Sequence, residues 1–192
     1  MTPVLTLAPL LAAAHRIDME ASRRLARTLQ AEPRHGYTNA LKALHPSMQY
    51  VEGLRVGSGS LLPFDHGWLE GNGAIVDPTL PLLDPNNEEE WRYFAAFRWS
   101  HEEICALLAE HNGSILTPVQ RYLPHWGKGE ETWLAATLLA HRHVAAVRQQ
   151  RYGVLPPSPA GERETLRGIV GDAWVAKLAV PAIDVPPEKL GG

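Results

Sequence analysis

The dipeptide Asn72-Gly73 sits between two runs of alternating character, "PFDHGWLEG" and "AIVDPT", and constrains the fold more than any other short stretch. Both residues tolerate positive φ, which the type I′ turn of a two-residue β-hairpin requires at both central positions. With the turn placed there, Gly71 lies opposite Ala74 and the register follows by counting: Glu70 faces Ile75, Trp68 faces Asp77 and His66 faces Thr79. Residues at even steps share a face, so His66, Trp68, Asp77 and Thr79 are expected together. His66 and Asp77 become diagonal neighbours, at roughly 7 to 8 Å between backbones. A carboxylate on one imidazole nitrogen fixes the tautomer and leaves the other nitrogen to accept a proton. The pair therefore either serves a nucleophile elsewhere in the chain or simply ties a half-buried hairpin.

The flanking sequence surrounds this hairpin with helices and further strands. "RIDMEASRRLARTLQ" carries Ile17, Met19, Ala21, Leu25 and Leu29 near helical spacing and is expected to be a surface helix stopped by Pro33. "GYTNALKALHP" predicts a second short helix starting near Gly36 and ending before Pro46. The period then changes to two, so "MQYVEGLRV" reads as a strand joined by a flexible "GSGS" loop to "PFDHGWLE". "WRYFAAFRW" has strand-like aromatic density, and Ser100 with Glu103 forms a capping-box pattern that opens "HEEICALLAEH" as a helix. Beyond it, "GEETWLAATLLAHRHVAAVRQQRYG" predicts a long helix, and "ERETLRGIVGDAWVAKLA" a weaker one interrupted by Gly168 and Gly171. The tail "VPAIDVPPEKLGG" is proline-rich and expected to be mobile.

This order gives an α+β fold: a small antiparallel sheet with an N-terminal helix pair over residues 1–115, and a helical extension packed on it over 116–192. Eighteen Lys and Arg against twenty-one Asp and Glu leave a formal charge of −3, too balanced for an electrostatic nucleic-acid binder. The single cysteine, Cys105, excludes an intrachain disulfide and fits a cytoplasmic protein. No apolar run approaches the roughly 18 residues of a membrane span, so no membrane partner is expected. "MTPVLTLAPLLAAAH" lacks the positive start of a secretory signal and is read as a segment packed on the core. His141 and His143 fall on different sides of a helix, no other metal-ligand spacing stands out, and neither a metal nor a cofactor is expected. "GSGS" lacks the spacing of a phosphate loop, "NGS" at 112 reads as a helix stop, and "LGG" as a small-residue terminus. Oligomeric state is not legible.

The segments "GYTNALKAL", "YVEGLRV", "DHGWLE", "GAIVDPT" and "YFAAFRWSHEEICALLAE", in this order, resemble bacterial and phage proteins of the papain-like and transglutaminase-like cysteine-enzyme superfamily. In those relatives a "C-[YH]-x-N-A" helix start precedes "Y-x-E-G", "H-A-W-L" and "V-[IV]-D-P-T" strands and a "Y-[FY]-G-[VI]-x-[FY]-S-x-E-E" strand and helix. The resemblance covers about residues 34 to 111. It implies a Cys, His and Asp site, with the thiol at a helix N-terminus that lowers its pKa. His66 then matches the histidine and Asp77 the aspartate, while Asn39 and Glu52 match positions lining the same region. Where the family has its cysteine this chain reads "RHGYTNA", which puts Gly36 there; a shift of one residue offers His35 or Tyr37, neither of them a thiol.

Two residues are candidates to replace the missing nucleophile. Thr38 carries a hydroxyl near the helix start, but a threonine needs an activating base in contact with it. Cys105 lies four residues after His101, so the two share a helix face, yet Ile104, Leu107 and Leu108 beside it suggest a core thiol. The reading that best fits is a catalytically degenerate member of the superfamily, whose cleft at Gly36, Tyr37, Asn39, Glu52, His66, Trp68 and Asp77 binds a small molecule or a protein. The alternative is an active hydrolase or acyl transferase with Cys105 or Thr38 as nucleophile, His66 as base and Asp77 as orienter. A third is a purely structural component.

Overall fold

The Asn72-Gly73 turn forms as its residues require, with φ of +53° and +70°, in the computed structural model of the protein. That structure describes residues 16–59, 61–111, 130–155, 157, 158, 160, 161 and 164. The readings of residues 1–15, "NGS", the weaker C-terminal helix beyond Glu164 and the proline-rich tail lie outside the described residues.

The fold is mixed α/β, consistent with an α+β arrangement. Strand β1 (Arg16–Ile17) leads into helix α1 (Met19–Thr28), then come α2 (Gly36–Lys42), β2 (Gln49–Gly57), β3 (Pro63–Gly71), β4 (Ala74–Val76), the single turn α3 (Leu80–Leu83), β5 (Trp91–Trp99), α4 (His101–Glu110) and α5 (Glu130–Tyr152). The five strands form one sheet in the order β1-β4-β3-β2-β5. It is antiparallel except at one edge, where Arg16 and Ile17 run parallel to Ala74 and Ile75. The β3–β4 register is the one counted from the turn, with Gly71 opposite Ala74 and Glu70 opposite Ile75. The ladder stops at Leu69 and Val76, because Pro78 has no N–H to extend it.

Helices α1 and α4 open on side-chain caps. Asp18 caps α1 by accepting from the Ala21 N–H at 2.9 Å, and Ser100 with Glu103 closes both halves of the capping box at α4. The helices cover one face of the sheet, where Ala21, Ala40, Ala43, Ile104 and their neighbours bury Tyr50, Leu69 and Val76. On the other face Val51, Trp68, Ile75, Tyr93 and Ala95 form a second cluster. Pairing with β5 slips by one residue between Glu52 and Gly53, so that Ala96 bulges and the strand bends there.

The chain divides into two compact units, residues 1–140 and 141–192. Within the first, the start of α5 buries Leu134 to Ala140, and Trp133 stacks on Phe97 with ring centroids 6.3 Å apart. Within the second, α5 runs on to Tyr152 and ends at Gly153, which adopts φ +65° and donates to the Gln149 carbonyl. Among the described residues no helix is long and apolar enough to cross a membrane.

Candidate functional site

The hairpin brings His66 and Asp77 together: imidazole Nε2 lies 2.8 Å from Asp77 Oδ2, and both residues are buried. Asp77 sits one residue past β4, where Pro78 turns the chain, and several contacts fix it. Its N–H donates to Ser22 Oγ at 3.0 Å, and the Ser22 hydroxyl donates to the Asp18 carbonyl, so the start of α1 holds this backbone in place. Asp77 Oδ1 accepts the Thr79 N–H at 2.8 Å, the local turn favoured by an aspartate followed by proline. Thr79 Oγ1 in turn accepts from Asn39 Nδ2, and Asn39 also bonds the Glu32 backbone on both its amide atoms. Asn39 thereby ties α2 to the strand end instead of presenting its amide to a ligand.

Two residues that the sequence did not single out complete the network. Arg55 Nη1 donates to Asp77 Oδ2 at 3.1 Å, and the Tyr93 hydroxyl donates to the same oxygen at 2.8 Å. Arg55 stands on the His66 face because Gly53 pairs with His66, and two steps along β2 return to that side. Its guanidinium lies over the Trp91 ring at 4.8 Å, a cation–π contact that holds it in plane. Trp68 packs edge-on against Tyr93 at 5.1 Å and donates through Nε1 to Glu70, closing the seam from the interior side.

Charge accounting sets the protonation states. Burial alone would raise Asp77, but His66, Arg55 and Tyr93 outweigh it and hold the carboxyl well below its usual range, so it is ionised. Burial lowers His66 below its ordinary value, and the Arg55 cation adds to that, against the opposing pull of Asp77. The ring is therefore neutral, and with an acceptor-only carboxylate at Nε2 the proton resides there. Arg55 Nη1 lies 3.3 Å from the same Nε2, but both are donors converging on Oδ2, so that approach is a consequence of sharing and no bond of its own. Burial and the neighbouring carboxylate push the Tyr93 phenol well above its usual range, leaving it a permanent donor.

The second imidazole nitrogen faces the start of α2. A Cβ built on Gly36 would lie 2.2 Å from His66 Nδ1 and 2.2 Å from Cε1, so the ring fills the space where a side chain at residue 36 would begin. The resemblance assigned the thiol to this position, and here the base stands in its place. Thr38 is exposed, and at two residues from Gly36 it projects from the opposite side of α2. Cys105 is also exposed, not packed among Ile104, Leu107 and Leu108 as its neighbours suggested, because Ile104 alone of that group is fully buried beneath α4. Its sulfur lies 3.9 Å from both ring nitrogens of His101, so the helix-face pairing is real. Glu52 accepts from the Tyr50 hydroxyl on the helix-covered face, across the sheet from His66, and Tyr37 packs on Gly67 on that same face. Among the described residues no group of three or more His, Cys, Asp or Glu could hold a metal ion.

The arrangement can orient an imidazole, keep it neutral and offer Nδ1 as an acceptor. It supplies no hydroxyl or thiol at residue 36 to act on. Compared with known proteins, the chain matches no protein-family model, no curated protein and no solved structure.

Proposed function

We propose that this protein is a catalytically degenerate transglutaminase-like protein that works by binding a small molecule or a protein at the His66–Asp77 region. The observation that carries the reading is the filled space at Gly36: the imidazole that would activate a thiol occupies the room the thiol needs. A working pair needs nucleophile and base side by side, at about 3 Å between reacting atoms, with the nucleophile free to reach a substrate. The active alternative gains no support from Thr38, which projects from the far side of α2, or from Cys105, whose sulfur meets the His101 ring. Asp77 also spends its acceptor capacity on three donors at Oδ2 and one at Oδ1, which suits a permanent tie. The proposal includes a cytoplasmic location, consistent with one free thiol, and neither cofactor, nucleic acid nor membrane as partner.

The test is to incubate the protein with activated acyl donors and with thiol-directed reagents. No turnover is expected, and the exposed Cys105 thiol should be alkylated to the same extent in the wild-type protein and in His66→Ala. Acyl transfer or hydrolysis that disappears in His66→Ala would sink the binding reading.

A further inference from the structure

The turn that fixes the β3–β4 register also carries a reactive pair. Asn72 and Gly73 are exposed, and among the described residues neither the Asn72 side-chain amide nor the Gly73 N–H makes a hydrogen bond. A Cβ built on Gly73 would meet nothing within 4 Å, so the nitrogen that follows Asn72 is hindered neither by a side chain of its own nor by neighbours. The other described asparagines differ. Asn39 is buried with its amide tied to Glu32 and Thr79, Asn86 donates to Glu88, and Asn86 and Asn87 each precede a residue that bears a side chain.

We infer that Asn72 is a site of spontaneous modification, by ring closure and then water, and that its isoaspartyl product unlocks the β3–β4 hairpin. The Gly73 nitrogen attacks Asn72 Cγ; the N–Cγ bond forms, the Cγ–Nδ2 bond breaks, and the amide proton leaves with the side-chain nitrogen as ammonia. Water then opens the succinimide. Cleavage of the new N–Cγ bond leaves an ordinary aspartate, whereas cleavage between the Asn72 main-chain carbonyl and the Gly73 nitrogen leaves an isoaspartate, whose backbone runs on through Cβ and Cγ and is one atom longer. Asn72 must leave its left-handed conformation, φ +53°, for the nitrogen to reach Cγ, so the reaction passes through opening of the tip, where Gly71 and Ala74 form the last pair.

The two products part at the turn. Asp-Gly suits a type I′ loop as Asn-Gly does, so the aspartate keeps the register. The longer main chain of the isoaspartate does not fit a two-residue loop, and Gly71–Ala74, Glu70–Ile75 and Leu69–Val76 are the whole ladder that β3 and β4 share. Asp77 follows directly on Val76, so loosening of this ladder reaches the carboxylate that meets His66. This inference is independent of the binding reading above.

Peptide mapping by mass spectrometry after prolonged incubation in mildly alkaline buffer tests it, with enzymatic methylation of isoaspartyl carboxyls to separate the two products. Aspartate and isoaspartate are expected at residue 72, formed more slowly than in the free peptide "EGNGAI", and absent from Asn72→Gly, whose Gly-Gly pair keeps the turn and removes the amide. The isoaspartyl fraction should melt below freshly purified Asn72→Asp, and its β4 amides should exchange about tenfold faster or more. An unchanged residue 72 under conditions that convert the peptide overturns the inference, as does conversion confined to Asn112-Gly113, the same dipeptide outside the described residues. An isoaspartyl fraction that melts and exchanges like Asn72→Asp overturns its consequence for the hairpin.

Discussion

The two faces of the sheet solve the same burial problem with opposite chemistry. On the helix-covered face Tyr50, Leu69, Val76 and Ile104 are removed from water by apolar contact, which is non-directional and tolerant of small shifts. On the other, Arg55, His66, Asp77 and Tyr93 are buried just as deeply but depend on four hydrogen bonds to one carboxylate, counting the Thr79 N–H. The first face draws its stability from area. On the second, the polar seam beside the apolar cluster of Val51, Trp68 and Ile75 draws it from complete pairing, and a buried ionic group with one partner removed costs more than the intact group contributes. A polar seam of this kind gives a single arrangement at the expense of tolerance.

That contrast predicts the largest effect at Asp77. Asp77→Ala strands the Arg55 cation and the Tyr93 and His66 donors in the interior and should cost about 3–5 kcal/mol or prevent folding. Leu69→Ala, on the apolar face, should cost about 2–5 kcal/mol through lost contact and the cavity left behind. Urea unfolding of both variants checks the comparison, and it breaks if Asp77→Ala is the milder of the two. The test is sharpened by Arg55→Met/Asp77→Leu, which removes both charges: it should recover much of the loss if unpaired charge is the cause.

A smaller effect is expected at the meeting point of α2 with the polar face. Alanine suits a helix better than glycine by about 1 kcal/mol, so Gly36→Ala ought to stabilise α2 in isolation. The new methyl group overlaps a ring pinned by Asp77, and overpacking costs about 1–3 kcal/mol, so net destabilisation is expected. Adding His66→Ala should remove that penalty, making Gly36→Ala stabilising in the double variant. Additive losses in thermal melts would show that the ring does not fill this space.

The smallest effect is on pH dependence. His66 is lowered below its unfolded value of about 6.5, so the folded state favours the neutral ring; its contribution is complete above about pH 6.5 and is lost as pH falls through the lower folded value. Asp77 is also lowered, and its contribution is present above about pH 4 and lost below. Stability should therefore decline in two stages on acidification, and His66→Gln should erase only the first. A single stage in the wild-type protein, starting below about pH 4, would mean that His66 is not held neutral by burial.

Much of the polar face was legible because it is local. The hairpin register needed only Asn72-Gly73, and the contact of His66 with Asp77 followed from counting. The capping box at Ser100 and Glu103 is likewise written within four residues. Arg55 and Tyr93 were not found, although an arginine in the middle of "YVEGLRV" was the available signal. Its partner could not be counted, because the β2–β3 register depends on the intervening loop and the β2–β5 register on a bulge at Glu52 and Gly53. Glu52 was grouped with His66 because the resemblance supplies membership of a motif without the side of the sheet, and its neighbour Gly53 is the one paired with His66. Cys105 was expected among apolar neighbours, but α4 turns only Ile104 of them fully inward.

The sequence by itself determined the turn, the starts of α2 and α4, the face shared by His66 and Asp77 and the absence of a thiol at residue 36, since each follows from short-range geometry or from residue identity, whereas Ile17, read as part of the first helix, pairs with Ile75 in strand β1 and the helix begins only after Asp18. Only the tertiary structure decided that Arg55 and Tyr93 complete the carboxylate's partners, that Asn39 serves as a tie, and that the imidazole fills the space beside Gly36. Those outcomes depend on which strands lie side by side and how a helix end meets a sheet edge. Such contacts join residues as far apart in the chain as Asn39 and Thr79, 40 positions, or Ser22 and Asp77, 55 positions, and no local pattern encodes them.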